Sequence, residues 1–295
     1  MSDSQSGLVL IDVLSNDVPT LCDATEPFLY ADDLGAIRGD GVFETLLVRG
    51  NHTCNTKRHE DRFLSSARML DLQPPALDNW REATKLAIEE LRRRGIQGDA
   101  SLRWLYSRGR ESTRRPTGYV LVSSASAVVA KRAQGVSVML AERGFSLDLG
   151  TRAPWALIGA KTLSYAANMA ALRYAKEHGF DDVIFTSSEG SLLEGPTSTI
   201  ILVRGKELLT PNPGAGVLPG TTQAALFDTA RAQGWTVTPT ELTPDDLHTA
   251  DAVWLVSSVR IAVRVTAIDG QPLPAVDSAA EVAFRRLCDD ALAAN

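Results

Sequence analysis

A lysine, a glutamate and a hydroxyl-rich glycine turn follow one another in the second half of this sequence. Lys161 stands in Ile-Gly-Ala-Lys-Thr, Glu194 in Leu-Leu-Glu-Gly, and Thr221 and Thr222 in Leu-Pro-Gly-Thr-Thr before an apolar stretch. The amine could form an imine, and the carboxylate could keep a ring nitrogen protonated. The two hydroxyls at a helix start could hold a phosphate. Each feature is common alone, but the ordered set suits pyridoxal phosphate as a cofactor.

Lys161 differs from the other five lysines in what precedes it. It alone follows an apolar run, residues 155–160, whereas the others have polar or charged neighbours. An amine in apolar surroundings loses hydration, so we expect a lowered pKa, which favours imine chemistry. The alternative interpretation is a lysine whose stem lies along apolar surface at a helix start.

Composition and charge limit the class of protein. The 295 residues are enough for two ordinary domains, and 44% apolar with 22% charged residues is a globular composition. A net charge of −6 gives no support for a nucleic-acid partner. The sequence shows neither a signal-peptide pattern nor an apolar run of about 18 residues, so we expect a cytoplasmic protein without a membrane partner. Three scattered cysteines, Cys22, Cys54 and Cys288, predict neither a disulfide framework nor a metal site.

The hydrophobic pattern alternates between strand and helix periods and predicts mixed α and β layers. Lys161 is expected at the entrance of a helix over 162–178. Residues 126–136 lose clear periodicity and predict an interdomain linker, with an N-terminal α/β domain over 1–125 and a cofactor-binding domain over 137–295. The predicted strands cover 42–48, 102–107, 119–123, 136–141, 183–186, 199–203 and 252–257, and the predicted helices cover 60–70, 80–94, 162–178 and 223–233.

Six ordered motifs resemble one known family. They are Arg-Gly-Asp-Gly-Val-Phe-Glu-Thr-Leu at 38–46, His-Glu-Asp-Arg-Phe-Leu-Ser-Ser-Ala at 59–67, Lys161-x-x-x-Tyr165-x-x-Asn168, Glu-Gly at 194–195, Leu-Pro-Gly-Thr-Thr at 218–222, and Ile-Asp-Gly at 268–270. From about residue 30 to residue 270 the chain resembles the class IV aminotransferase-like, or fold type IV pyridoxal phosphate, enzymes. The resemblance implies an α/β fold with a smaller N-terminal α/β domain, a larger C-terminal domain with a barrel-like sheet, the cofactor in the cleft between the two domains, and a homodimer.

The resemblance also implies a role for each matching residue. Lys161 corresponds to the Schiff-base lysine, Glu194 to the partner of the pyridine nitrogen, Tyr165 to the residue that binds the phenolic oxygen, and Leu218 to the apolar residue under the ring. The alternatives are a turn glutamate for Glu194 and a core residue for Tyr165. Contacts with the cofactor phosphate are expected from Arg62, Gly220, Thr221, Thr222, Ser257 and Ser258. His59 is expected to be structural.

The motif at 38–46 resembles the aminodeoxychorismate lyases more than the branched-chain aminotransferases. This implies elimination of pyruvate from 4-amino-4-deoxychorismate to give 4-aminobenzoate, a folate-pathway step, with Lys161 as general base and acid. The alternative is an aminotransferase of D-amino acids or branched-chain L-amino acids, or one enzyme with both activities. A cofactor-binding protein without turnover is a third alternative.

Substrate carboxylates would require cations at the mouth of the site. The available arginines are Arg103, Arg108, Arg110, Arg114, Arg115 and Arg260. Runs of arginine are also typical of solvated faces. Phe43 stands where D-amino acid aminotransferases have a tyrosine, which removes a hydroxyl from the expected pocket. The candidate substrate residues are Phe43, Arg108, Arg114, Arg115 and Arg260.

Overall fold

The computed structural model describes residues 7–214 and 216–293. They divide into two compact units. Unit 1 comprises the described residues up to Val129 together with Ala160–Tyr165, and unit 2 comprises Ala130–Gly159 and the described residues from Ala166 onward. The division predicted from the sequence instead puts residues 160–165, which include Lys161, in the second domain.

Unit 1 is one antiparallel sheet with helices packed on it. The strands follow the spatial order β2-β1-β6-β5-β3-β4. A short helix, α4 (Ser126–Lys131), continues the chain into unit 2 and occupies part of the predicted linker. The elements of unit 1 are β1 (Leu8–Asp12), β2 (Thr20–Cys22), α1 (Leu34–Arg38), β3 (Gly41–Arg49), β4 (His52–Thr53), α2 (Thr56–Met69), α3 (Leu77–Arg93), β5 (Ala100–Ser107) and β6 (Thr117–Ser124).

Aromatic side chains fix α2 and α3 against this sheet. Phe63 on α2 meets Trp80 of α3 at 5.4 Å and Trp104 of β5 at 5.6 Å between ring centroids, both edge to face. All three rings are fully buried. The Trp104 indole N–H donates to Thr84 Oγ1 at 2.9 Å, so its polar group is satisfied inside the core. The adjacent residue on α2, Arg62, is thereby held at a fixed place beside β3.

Unit 2 contains a mixed sheet in the order β11-β10-β9-β12-β13-β7-β8, with β14 paired to β13. The β10–β11, β13–β7 and β7–β8 pairs are parallel and the others are antiparallel. Its elements are β7 (Val136–Glu142), α5 (Leu149–Arg152), a 3₁₀ turn (Pro154–Ala156), α6 (Ala166–Glu177), β8 (Asp182–Thr186), β9 (Thr199–Arg204), β10 (Glu207–Pro211), α7 (Thr221–Ala232), β11 (Thr236–Thr240), α8 (Pro244–Thr249), β12 (Ala252–Ser257), β13 (Ile261–Ile268), β14 (Gln271–Pro272) and α9 (Ser278–Ala293).

Branched aliphatic residues form the core of unit 2. Ile184, Ile200, Leu202 and Leu255, all fully buried or nearly so, belong to one apolar cluster built from neighbouring strands. A second cluster joins Ala175 of α6 to Val183, Phe185, Leu193 and Val217. The near-continuous apolar runs of β8, β9 and β12 follow from burial on both faces of the sheet.

The expected helix start at Lys161 is wrong. Residues 161–163 are extended, because the Phe43 N–H donates to the Lys161 carbonyl at 3.1 Å and the Leu163 N–H donates to the Gly41 carbonyl at 2.8 Å. Val42 and Thr162 form an antiparallel bridge. Pairing with β3 therefore overrides the helical spacing, and α6 begins only at Ala166.

The predicted fold class is confirmed, since two sheets are combined with helices in mixed α/β units. Within the described ranges, no helix combines the length and the apolar character needed to cross a membrane.

Candidate active site

The Lys161 amine lies against two aromatic rings in unit 1. Its Nζ is 4.5 Å from the ring centroid of Phe43 and 5.5 Å from that of Tyr165. The two rings meet edge to face at 5.3 Å. The backbone N–H of Lys161 donates to Ser66 Oγ on α2 at 3.0 Å, which fixes the main chain that carries the amine. The predicted residues Phe43, Lys161 and Tyr165 are thus brought together.

Arg62, the predicted phosphate ligand, is held by a buried carboxylate that sequence analysis did not single out. Its Nε and Nη2 donate to the two oxygens of Glu44 at 2.7 and 2.8 Å. His59 Nδ1 lies 2.6 Å from Glu44 Oε2. The side chains of Glu44 and His59 are 0% and 2% exposed, and that of Arg62 is 11% exposed. The bidentate pair fixes the plane of the guanidinium.

Electrostatics fix the protonation of this trio. Burial raises the pKa of Glu44, but the charge and hydrogen bonds of Arg62 and the contact with His59 outweigh it, so the pKa lies well below its ordinary value. Burial lowers the pKa of His59, and the positive charges of Arg62 and Lys161 add to the effect against the pull of Glu44. His59 is therefore neutral at pH 7 and donates its Nδ1–H to the ionised Glu44. The trio carries no net charge.

In unit 2 the predicted phosphate residues surround the start of α7. Thr221 and Thr222 occupy its first two positions and are each 5% exposed. Thr221 Oγ1 and Ser258 Oγ are 3.4 Å apart, and Ser257 ends β12 immediately before Ser258. Gly220 is the N-cap and supplies no side-chain cap, so the helix start can receive an anion.

Gly220 is a position at which no side chain fits. A Cβ placed there would lie 2.5 Å from Thr199 Oγ1 and 3.2 Å from Gln223 Cβ. Thr199 is itself 7% exposed at the start of β9, so it cannot turn outward freely. The close packing of Thr199 against the start of α7 therefore requires a glycine at this position.

Glu194 and Leu218, the predicted ring contacts, are adjacent in unit 2. The Leu218 N–H donates to Glu194 Oε2 at 3.2 Å, and both residues are half-buried. The Phe185 N–H donates to the Glu194 carbonyl at 2.9 Å, which ties the glutamate to the end of β8. The carboxylate therefore projects from a turn that is hydrogen bonded to the sheet.

Two of the predicted substrate arginines have protein partners. Arg108 Nε donates to Asp40 at 2.7 Å, and its Nη2 donates to the Leu70 carbonyl at 2.6 Å near the end of α2. Arg260 Nη1 donates to the buried carboxylate of Asp182 at 2.6 Å. Arg108 and Asp40 both belong to unit 1, and Arg260 and Asp182 both belong to unit 2. Each guanidinium therefore has a structural role within its own unit.

Arg114 and Arg115 lie exposed in the loop between β5 and β6. Arg114 has a left-handed backbone, with φ of 56°, and the loop is closed by the Arg110 N–H bound to the Arg115 carbonyl at 2.9 Å. The fixed loop holds both guanidinium groups at the protein surface.

Sequence reasoning missed Glu44 although it lies inside the first motif. The available signal was a single acidic residue among the apolar residues of 42–48, because a charge on a buried strand requires a partner. The hydroxyl of Ser198 is also buried, and it has no hydrogen-bond partner among the described residues. No linear pattern identifies such a hydroxyl, since its burial depends on the turn around it.

The residues present fit pyridoxal phosphate. The Lys161 amine lies against aromatic faces, and Arg62 is oriented by a buried ion pair. Buried hydroxyls meet at the start of α7 beside a glycine that leaves no room for a Cβ. A carboxylate stands next to the Leu218 backbone. An amine, an anion cradle and a carboxylate are the donor set that this cofactor requires.

We predict that Glu44→Gln lowers the free energy of unfolding by about 3 kcal/mol, because it leaves Arg62 buried without its counter-charge. The folded-state pKa of Glu44 is depressed, so its contribution to stability is present above the ordinary pKa of 4.5 and is lost as the pH falls below it. In urea denaturation between pH 3 and 7, the free energy of unfolding should therefore fall less steeply with decreasing pH in the variant than in the wild type.

Glu90→Gln is the matched control for this prediction. Glu90 lies on α3, is 5% exposed and binds Arg93 and Arg94, so its ion pairs do not involve Arg62 on α2. Both variants should lose stability, but only Glu44→Gln should weaken pyridoxal phosphate binding, by about tenfold or 1.4 kcal/mol. Equal affinity of the two variants in an absorbance titration would contradict a positioning role for Glu44.

We predict that Gly220→Ala costs about 1–3 kcal/mol of stability, since the added methyl group overpacks the contact with Thr199. The double variant Gly220→Ala/Thr199→Ala should be as stable as Thr199→Ala alone, because the clashing hydroxyl is gone. Gly150→Ala is the control, since its Cβ would meet Ile158 at an ordinary 3.4 Å. A double variant that remains as unstable as Gly220→Ala would show that the clash is not the cause.

Comparison with known proteins places this geometry in a family. The chain is 45% identical over 274 residues to the bifunctional aminodeoxychorismate lyase / D-amino acid transaminase of Mycobacterium tuberculosis, covering 90% of this chain and 94% of that protein. Its fold matches the PLP-bound form of a hypothetical aminotransferase from Mycobacterium tuberculosis, with a TM-score of 0.90, 43% identity and coverage of 97% and 98%. It also matches a fold IV transaminase from Curtobacterium pusillum, with a TM-score of 0.90, 38% identity and coverage of 97% and 98%.

The family model named amino-transferase class IV matches residues 41–268, which include the Lys161 segment, Glu194 and the start of α7. The suspected resemblance and the expected cofactor are both confirmed. The chain belongs to the class IV aminotransferase family, and it is an enzyme whose cofactor is pyridoxal phosphate.

Proposed function

We propose that this enzyme catalyses two reactions: cleavage of 4-amino-4-deoxychorismate to 4-aminobenzoate and pyruvate, and transamination of D-amino acids. The observation that carries the proposal is the position of the Lys161 amine, 4.5 Å from the Phe43 ring on a segment fixed to β3. The 45% identity with a relative that is named for both activities supports the choice of substrates.

Each predicted cofactor residue receives a proposed role. Lys161 is the lysine that binds the cofactor aldehyde, Glu194 holds the pyridine nitrogen, Tyr165 binds the phenolic oxygen and Leu218 lies under the ring. The hydrogen bond from the Leu218 N–H to the half-buried Glu194 supports neighbouring roles for these two residues. The proposed phosphate ligands are Arg62, Gly220, Thr221, Thr222, Ser257 and Ser258.

The chain's own chemistry is proton transfer by one amine. When bound, pyridoxal phosphate supplies an electron sink for the electrons left when a substrate carbon loses its proton. The Lys161 amine takes the proton from the carbon that bears the substrate nitrogen. In the lyase reaction the carbon–oxygen bond at the neighbouring carbon then breaks, the oxygen leaves with enolpyruvate, which takes up a proton to become pyruvate, and the ring becomes aromatic.

Both activities begin with the same proton abstraction, so one lysine can serve both. They diverge in the bond that breaks next, which depends on whether the substrate has a leaving group on the neighbouring carbon. Phe43 contributes an aromatic face without a hydroxyl beside the amine. This apolar wall suits a cyclic, partly unsaturated substrate as well as a small amino acid.

Substrate carboxylates would be bound by arginine. Arg114 and Arg115 are the better supported of the predicted set, because both are exposed on a closed loop. Arg108 and Arg260 have fixed partners in Asp40 and Asp182, and their role in binding stays a prediction.

The test is a pair of assays on the purified holoenzyme. Aminodeoxychorismate supplied without any keto acid should yield equal amounts of 4-aminobenzoate and pyruvate. D-Alanine with a keto acid should yield pyruvate and the new amino acid, whereas L-alanine should not react. Absence of 4-aminobenzoate would remove the lyase assignment, and absence of turnover with every D-amino acid would remove the transaminase assignment.

Lys161→Ala should abolish both activities, by about 10³-fold or more, because one amine performs the first step of each. Lys176→Ala is the control, since Lys176 is exposed on α6 and should leave both rates unchanged. Retention of either activity in Lys161→Ala would show that another group transfers the proton.

We also propose that the protein is a cytoplasmic homodimer, as the family resemblance implies. Large apolar side chains at the surface support a second copy, since Tyr30 is 60% exposed and Trp155 is 80% exposed. Sedimentation equilibrium should give twice the 31.7 kDa chain mass. A single-chain mass at micromolar concentration would contradict the dimer.

A further inference from the structure

Asn168 is the one residue of the third motif to which no role has been assigned. It is the third residue of α6 and is 8% exposed. Its Nδ2 donates to the Pro196 carbonyl at 2.6 Å, and its Oδ1 accepts from Arg143 Nη2 at 2.8 Å. With a carbonyl on one side and a guanidinium on the other, the orientation of the amide is fixed by its partners.

Arg143 is anchored independently of Asn168. Its backbone N–H donates to the carbonyl of Thr186, the last residue of β8, at 2.8 Å. Its guanidinium lies 4.4 Å from the ring centroid of Phe185, a cation–π contact. The arginine is therefore oriented by the sheet, and its contact with Asn168 connects the sheet to α6.

The far end of this chain of contacts is the turn that carries Glu194. Pro196 lies two residues after Glu194, and the Gly195 N–H donates to the Ser198 carbonyl at 2.9 Å across the turn. The Phe185 N–H donates to the Glu194 carbonyl at 2.9 Å. The turn is thus attached to β8 through the backbone of Phe185 and to α6 through Asn168, while the Arg143 guanidinium packs on the Phe185 ring.

We propose that Arg143 and Asn168 are positioning residues that set the direction of the Glu194 carboxylate. A carboxylate on a short turn changes direction when the turn rocks, and the Asn168 amide resists that motion at Pro196. A hydrogen bond weakens as its angle departs from linear, so rotation of the turn would weaken the bond from Glu194 to the pyridine nitrogen. This inference rests on the proposed role of Glu194.

The test measures the ¹⁵N chemical shift of the pyridine nitrogen, which reports its protonation. Pyridoxal phosphate labelled with ¹⁵N is bound to the wild-type protein and to Glu194→Gln, Asn168→Ala and the double variant, and the ring ¹⁵N chemical shift is recorded from pH 6 to 9. Glu194→Gln should move the signal toward that of an unprotonated ring. Asn168→Ala should move it at least a quarter of that distance, and the double variant should match Glu194→Gln alone.

Arg143→Lys is the second variant, since it keeps the charge and removes the planar group that binds Asn168. It should shift the ring signal in the same direction as Asn168→Ala. Arg173→Gln is the control, because Arg173 is exposed on the same helix and should leave the signal unchanged. Thermal unfolding of each apoprotein separates general loss of stability from the effect at the ring.

The outcomes separate this proposal from the one on which it rests. An unchanged signal in Asn168→Ala and Arg143→Lys, with a shifted signal in Glu194→Gln, would overturn the positioning role alone. Additive shifts in the double variant would also overturn it, because the amide would then act independently of Glu194. An unchanged signal in Glu194→Gln would overturn the role of the glutamate and both proposals with it.

Discussion

Two backbone hydrogen bonds to the first residues of β3 decide where the Lys161 amine lies. They join the Lys161 carbonyl to the Phe43 N–H and the Leu163 N–H to the Gly41 carbonyl, across more than a hundred residues of sequence. They hold the lysine segment extended, so the Lys161 side chain lies against the Phe43 ring, where its positive charge helps to lower the pKa of His59. Because the same strand also carries Glu44, β3 positions both the amine and the carboxylate that orients Arg62.

The charges around Arg62 explain why its geometry matters more than its charge. Glu44 is ionised and His59 is neutral, so the arginine's positive charge is already balanced before any ligand binds. Arg62 therefore contributes a guanidinium of fixed direction rather than an unbalanced charge. Within unit 2, the start of α7 is suited to an anion by its buried hydroxyls and its helix dipole.

Much of the site follows from residue types alone. The sequence singled out Lys161, Glu194 and the Thr221–Thr222 pair, because an amine after an apolar run, an acid before a glycine and hydroxyls before a helix have few other joint uses. Strand β12 was predicted with its observed ends, and β3, α2 and α3 were predicted within a few residues, since their apolar periods are regular. Strands β10, β11 and β13 and helix α9 were missed, because their composition is mixed and their burial comes from neighbours in the sheet or from α7.

The sequence by itself determined the cofactor chemistry, the family and the order of the chemical groups along the chain, because these depend on residue types and local spacing. Only the tertiary structure decided that Lys161 lies on an extended segment, that Glu44 holds Arg62, that Arg108 and Arg260 have partners in Asp40 and Asp182, and that Asn168 binds Pro196. Each of these contacts joins residues from distant parts of the chain. A helical period or a motif reports only on near neighbours, whereas strand pairing and buried ion pairs depend on which distant segments the fold brings together.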